Sequence, residues 1–264
     1  MNTVAGVGRY RTFGQGRPVV ILSNPVADPD WWAAPIVAAL TDGGYQAVTF
    51  VHTGPDHGPE GVAGDVSALL DHLGTEPVRL LGWSQGAAIA QEVALLRPDR
   101  VVAAALIAGY GRQNTMDRLL QQSTRTLETA GPEFDPVRLV LLLLTSYPPK
   151  VLGDDAFLDA LLPGIRQWSA GTCSVSEAQA RSRAFIDAYQ ERLDALTGMH
   201  VPCMIMGFEQ DADTFVSRAR ELAAAIPNSS YVELPGAGHL TPVTQPDRVI
   251  APILRFFTEI DDRA

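Results

Sequence analysis

Short, densely apolar runs alternate along the chain with longer stretches whose apolar residues recur every three or four positions. Pro18-Val19-Val20-Ile21-Leu22 is a continuous β-branched run, the pattern of a strand buried on both faces. Residues 46–51, 78–81 and 101–108 repeat it, and residues 10–16 read as a shorter strand ending in a glycine turn. Between the runs lie helical patterns. Residues 31–40 read as a helix with Asp30 as N-cap, and Val62, Val66, Leu69, Leu70 and Leu73 mark another over 62–73. A third covers 84–96. Strand and helix in alternation predict an α/β fold, a mostly parallel sheet flanked by helices.

After Gly109-Tyr110-Gly111 the pattern changes. Helical segments at 116–129, 136–146, 155–162 and 175–196 follow one another, punctuated by Pro148, Pro149 and Pro163. Alternation then resumes, with strands at 201–206 and 230–234 and helices at 215–226 and 246–257. Residues 112–198 therefore read as a helical insertion in a core formed by 1–111 and 199–264. Within it, Leu139-Val140-Leu141-Leu142-Leu143-Leu144 is apolar on every face, which predicts burial under neighbouring helices or a place on a pocket wall.

Composition narrows the class. At 264 residues, 46% hydrophobic and 19% charged, the chain has the make-up of a soluble globular protein. A net charge of −10 repels phosphate backbones and anionic bilayers, which argues against nucleic-acid and membrane partners. Two cysteines, Cys173 and Cys203, make no framework and read as free buried thiols. The first residues show no basic region followed by an apolar core, so no secretory signal is expected and a cytoplasmic location is.

The chemistry centres on Gly82-Trp83-Ser84-Gln85-Gly86. A G-x-S-x-G between an apolar strand and a helix is a turn that projects one serine at its tip. Ser84 needs a sparsely populated backbone conformation, and side chains at 82 and 86 would collide across so tight a turn. A serine hydroxyl is a weak nucleophile and needs a base. His239, in Pro235-Gly236-Ala237-Gly238-His239 after a strand, suits that role. His52, His57, His72 and His200 read as structural or solvent-facing, with His52 and His57 near a pocket mouth. The acid that orients the base must come from Glu209-Gln210-Asp211-Ala212-Asp213. Asp211 stands where the strand turns into the loop. Asp213 is the competitor, with helix capping as its other role, and Glu209 is left to face water or to support the others.

In that order (elbow serine, helical insertion, acid after a late strand, P-G-A-G-H-L), the chain resembles the α/β-hydrolase superfamily. The resemblance implies a cap over the site formed by the insertion, and a triad of Ser84, Asp211 and His239. It also implies an oxyanion hole built from the Gln85 N–H and one N–H from the loop after an earlier strand. Relatives commonly carry His-Gly-x-Pro in that loop, whereas this chain has Ser23-Asn24-Pro25. Pro25 falls at the donor position and has no N–H. The donor then shifts to Val26 or the Asn24 side chain, or the reaction develops no full oxyanion. A one-residue shift in alignment is the other explanation. Ser23, Pro25, Trp32, Trp83, Tyr110, Tyr147 and Trp168 are the expected substrate contacts, with core packing as the competing role for the aromatic residues.

The function expected is a serine hydrolase that acts through an acyl-enzyme on a small hydrophobic ester, lactone or thioester. It would need no cofactor or metal and would work as a monomer or homodimer. A second reading keeps the fold but transfers, cyclises or rearranges an acyl compound. A third is a non-enzymatic receptor for a small ligand.

Overall fold

The computed structural model describes residues 1–263 apart from 24–31, 55, 75 and 172–176, and no side chains at 166–171 or 177–179. Eight strands form one sheet: β1 (Asn2–Val4), β2 (Gly8–Phe13), β3 (Arg17–Leu22), β4 (Tyr45–His52), β5 (Val78–Trp83), β6 (Val101–Ile107), β7 (Cys203–Phe208) and β8 (Ser229–Leu234). Their order is β1-β2-β4-β3-β5-β6-β7-β8. The β1–β2 and β2–β4 pairs are antiparallel and all others parallel. β1 has no counterpart in the pattern of the sequence, because Asn2-Thr3-Val4 is a largely exposed edge with no apolar face to betray it.

The direction of winding reverses beside β3, which pairs with β4 on one side and β5 on the other. In an open α/β sheet the carboxyl ends of the strands at such a reversal flank a crevice, and ligands bind there. Here β5 delivers Ser84 to that crevice and β3 delivers Ser23. One apolar core lies on each face of the sheet. Helices α1 (Ala34–Asp42) and α11 (Pro246–Asp261) cover one face, and α2 (Pro59–Leu73), α3 (Gln85–Leu96) and α10 (Val216–Ala225) the other.

Helix boundaries follow local chemistry more closely than apolar spacing does. α1 starts later than residue 31, with Pro35 in its first turn, and Asp30 lies outside the described residues. α2 starts three residues before Val62, at Pro59, whose fixed φ suits a first helical position.

Between β6 and β7 the described residues hold helices and no strand. These are α4 (Thr115–Thr129), a 3₁₀ turn at Pro132–Phe134, α5 (Asp135–Ser146), α6 (Pro149–Leu152), α7 (Asp155–Gly171), α8 (Glu177–Ala188) and α9 (Leu193–Leu196). A capping box starts α4: the Asn114 side chain accepts from the Asp117 N–H at 2.8 Å, and Asp117 Oδ2 accepts from the Asn114 N–H at 2.6 Å. Pro163 does not end a helix as expected but lies inside α7. α5 is not buried all round either. Val137, Val140 and Leu144 are exposed on one face while Leu142 turns to the interior.

Candidate active site

Ser84 alone separates β5 from α3, with φ 57° and ψ −119°. Side chains avoid this region, and the surrounding contacts hold the serine there. Its N–H donates to the Ile107 carbonyl on β6 at 2.9 Å, and its carbonyl accepts from the Ala87 N–H at 2.9 Å. The glycines are required by contact. A Cβ at Gly82 would stand 2.3 Å from the Gly86 carbonyl oxygen, and one at Gly86 would stand 2.0 Å from that of Leu22. Gln85 opens α3, so its N–H is among the donors that have no acceptor within the helix.

β7 delivers the acid and the turn after β8 delivers the base. Asp211, with a side chain 0% exposed, accepts the Nδ1–H of His239 at 2.8 Å through Oδ2. Its Oδ1 accepts from the N–H groups of Asp213 at 2.9 Å and Thr214 at 2.8 Å. Three donors thus hold the carboxylate, and the carboxylate in turn sets the ring's orientation and tautomer. Glu209 helps to hold the histidine loop, accepting from the Gly236 N–H at 2.7 Å, and Gly236 has a φ of +64°. Gly238 presses on Pro148 of the inserted helices, where a Cβ would come within 2.7 Å of its Cδ.

The imidazole meets a second carboxylate. Asp213 Oδ2 lies 3.2 Å from Nε2. Burial alone would lower the histidine's pKa, but the charges of Asp211 and Asp213 and the Asp211 hydrogen bond outweigh it and raise it to about 9.

A cavity of about 890 Å³ opens over Ser84, roofed by the inserted helices. Trp83, Ser84, Gln85, Tyr110, Tyr147, Asp213 and His239 line it. Leu120, Leu142, Leu161, Ile165, Ile186 and Leu240 make much of its wall apolar.

Residues 19–251 match the model of the "Alpha/beta hydrolase family". The chain belongs to the alpha/beta hydrolase family. The chain is 29% identical to the curated "Putative non-heme bromoperoxidase BpoC" of Mycobacterium tuberculosis over 259 residues, 95% of this chain and 97% of that one. It is similar in structure to Rv0554 from Mycobacterium tuberculosis (TM-score 0.84, 27% identity, 96% and 93% of the two chains). The enol-lactonase from Burkholderia xenovorans LB400 shares the fold at a TM-score of 0.76 and 22% identity, over 97% of each chain.

The fold brings together Ser84, Gln85, His239 and Asp211, and sets Trp83, Tyr110 and Tyr147 of the expected substrate contacts on the same cavity wall. Trp32 requires a correction. It is 1% exposed and packs behind Trp83 at a ring-centre distance of 5.0 Å, a core position away from the cavity wall. Trp83 is the intermediary, since its other neighbour is the His239 ring at 5.6 Å. Ser23 lies beside the elbow, where its backbone nitrogen would be 2.7 Å from a Cβ at Gly86. Asn24, Pro25 and Val26 lie outside the described residues, as do Cys173 and the side chain of Trp168. Cys203 is free and buried, and burial pushes its thiol up to about 12.

His52 and His57 make a separate pair away from the cavity wall. His52 Nε2 lies 3.1 Å from His57 Nδ1 and its Nδ1 2.7 Å from Asp65 Oδ2. Burial, then the charges of His57 and Arg181, lower His52 to about 4, so it is neutral at pH 7.

Sequence reasoning missed two contacts: Asp213 against Nε2, and Gln85 against Ser182. Gln85 Nε2 donates to Ser182 Oγ at 2.9 Å, and Ser182 Oγ lies 3.1 Å from Gln85 Oε1. Neither leaves a mark in a linear pattern.

Proposed function

We propose that this enzyme is a serine hydrolase of small hydrophobic esters, lactones or thioesters, working through an acyl-enzyme. The observation that carries the reading is the Asp211–His239 hydrogen bond set beside a serine held at positive φ. Ser84 Oγ attacks the acyl carbon as His239 Nε2 takes its proton, and Asp211 stabilises the imidazolium that forms. The Gln85 N–H donates to the developing oxyanion. The loop after β3 is the expected source of a second donor, and Pro25 in it has no N–H to give. His239 returns the proton to the leaving oxygen or sulfur. Water, deprotonated by the same nitrogen, then attacks the acyl-enzyme and Ser84 recovers its hydrogen.

The apolar walls at Leu120, Leu142, Leu161 and Ile186 suit a hydrocarbon or aromatic acyl chain, and residues 112–198 act as the cap that shields it from water. Turnover of p-nitrophenyl butyrate by wild type and Ser84→Ala tests the reading. Loss of about 10³-fold or more in kcat is expected, and an unimpaired variant overturns it.

A further inference from the structure

His239 has a carboxylate at each ring nitrogen, and only one of them is needed to orient it. Asp211 is fully buried and held by three donors, whereas the side chain of Asp213 is 48% exposed to the cavity. Among the described residues, the His239 ring is the polar partner that the Asp213 carboxylate has. The Asp213 backbone cannot drift, because its N–H is bonded to Asp211 Oδ1 at 2.9 Å. The movement left to it is rotation of its own side chain. The nitrogen it occupies is the one that must accept the Ser84 proton, since Nδ1 is committed to Asp211.

We propose that Asp213 is a gating residue: in the empty enzyme it holds the base nitrogen of His239 away from Ser84, and it yields that nitrogen when substrate fills the cavity. This rests on the serine-hydrolase reading above. In the closed gate the imidazolium gives one N–H to each carboxylate. Opening transfers the Nε2 proton to Asp213, which leaves as a neutral carboxylic acid, and the Nε2 lone pair is then free for the Ser84 hydroxyl. One proton moves and net charge is unchanged.

The surroundings favour that transfer once water is expelled. Desolvation holds the Asp213 carboxyl above the ordinary carboxylate range; His239 pulls it back, while the charges of Asp211 and of Asp117 on α4 push it up. The other titratable groups on the adjoining walls are Tyr110 after β6, Tyr147 after α5 and Arg218 on α10. The cap side of the cavity adds Arg125 paired with Asp187, and Arg183 paired with Glu128. Arg218 is ion-paired to Glu221 at 2.9 Å, but its Nε is buried without a hydrogen-bond partner among the described residues. Apolar substrate displaces the water that keeps Asp213 ionised, so filling the cavity itself opens the gate.

The test is titration of the His239 ring by NMR in wild type, Asp213→Asn and Asp213→Ala, with Ser84 labelling by a fluorophosphonate followed over the same pH range. The histidine signal is assigned with His239→Gln, and circular dichroism establishes that each variant is folded. The His239 midpoint is expected to fall by about one pH unit or more in both Asp213 variants. Labelling at pH 7 should rise by about five-fold or more as the imidazole becomes neutral there. A midpoint that moves by less than about 0.3 unit in both folded variants overturns the gate, as does faster labelling without a shifted pH profile. Ring titration needs no turnover. A wild type that never labels therefore counts against the hydrolase reading, and an unmoved midpoint counts against the gate alone.

Discussion

Gln85 and Ser182 join the elbow helix to the inserted helices through an amide and a hydroxyl, with Nε2 to Oγ at 2.9 Å and Oγ to Oε1 at 3.1 Å. The same Gln85 is the proposed backbone donor to the oxyanion. One residue thus ties the roof of the cavity to its floor. Ser182→Ala removes the tie and leaves the N–H in place. A net hydrogen bond contributes about 1 kcal/mol, so KM should rise about five-fold with kcat nearly unchanged. Steady-state kinetics on a p-nitrophenyl ester separates the two constants; an equal fall in kcat would mean that the contact acts on the chemistry itself.

Two glycines on the same face of the sheet should respond oppositely to alanine. Gly86→Ala drives a methyl group to within 2.0 Å of the Leu22 carbonyl oxygen, and both partners are backbone in packed elements. The expected cost is about 3 kcal/mol or more, or failure to fold. Gly64, inside α2, has nothing within 4 Å of where a Cβ would stand, and its φ is not positive. Gly64→Ala should stabilise by about 0.5–1 kcal/mol and raise Tm by roughly 1–4 °C. Thermal melts of both variants check the pair.

Replacing Asp211 removes the partner that fixes the His239 tautomer and strips the acceptor from two backbone donors. Asp211→Asn should lower kcat by about 10²–10⁴-fold, and Asp211→Ala should also cost about 1–3 kcal/mol of stability through the orphaned N–H groups. Activity assays beside urea unfolding distinguish the two effects.

The His239 pKa, raised to about 9 from 6.5, gives opposite pH trends for activity and stability. The base works when neutral, so kcat/KM for a substrate too small to fill the cavity, such as p-nitrophenyl acetate, should climb with pH towards about 9. A folded-state value above the unfolded one means that the group's stabilisation is complete below 6.5 and is lost as pH rises through about 9. For a shift of this size the contribution is on the order of 3 kcal/mol. The stability gap between wild type and His239→Gln should therefore shrink between pH 6.5 and 9.5. A gap that stays constant would contradict the raised value.

Much of the sheet and the elbow was legible because both are written in local pattern. Continuous β-branched runs mark strands covered on both faces, and the spacing of Gly82, Ser84 and Gly86 follows from clashes that any side chain would cause. The order of Ser84, acid and His239 was also visible. What the sequence did not settle was set by side-chain direction over short distances. Asp211 and Asp213 are two residues apart and equally acidic; the loop's hydrogen bonds give one Nδ1 and the other Nε2. Trp32 and Trp83 read alike until packing puts the first behind the second. The face of α5 that carries Val137, Val140 and Leu144 reads as buried because apolar composition does not say which side has a neighbour.

The claim that Ser84 is the nucleophile is tested most directly by intact-mass measurement after exposure to a fluorophosphonate at pH 9, with peptide mapping of the adduct. One phosphonyl group on the Gly82–Gly86 peptide, absent from Ser84→Ala and suppressed in His239→Gln, is the predicted result. An unmodified wild type, or an adduct that persists in Ser84→Ala, contradicts it.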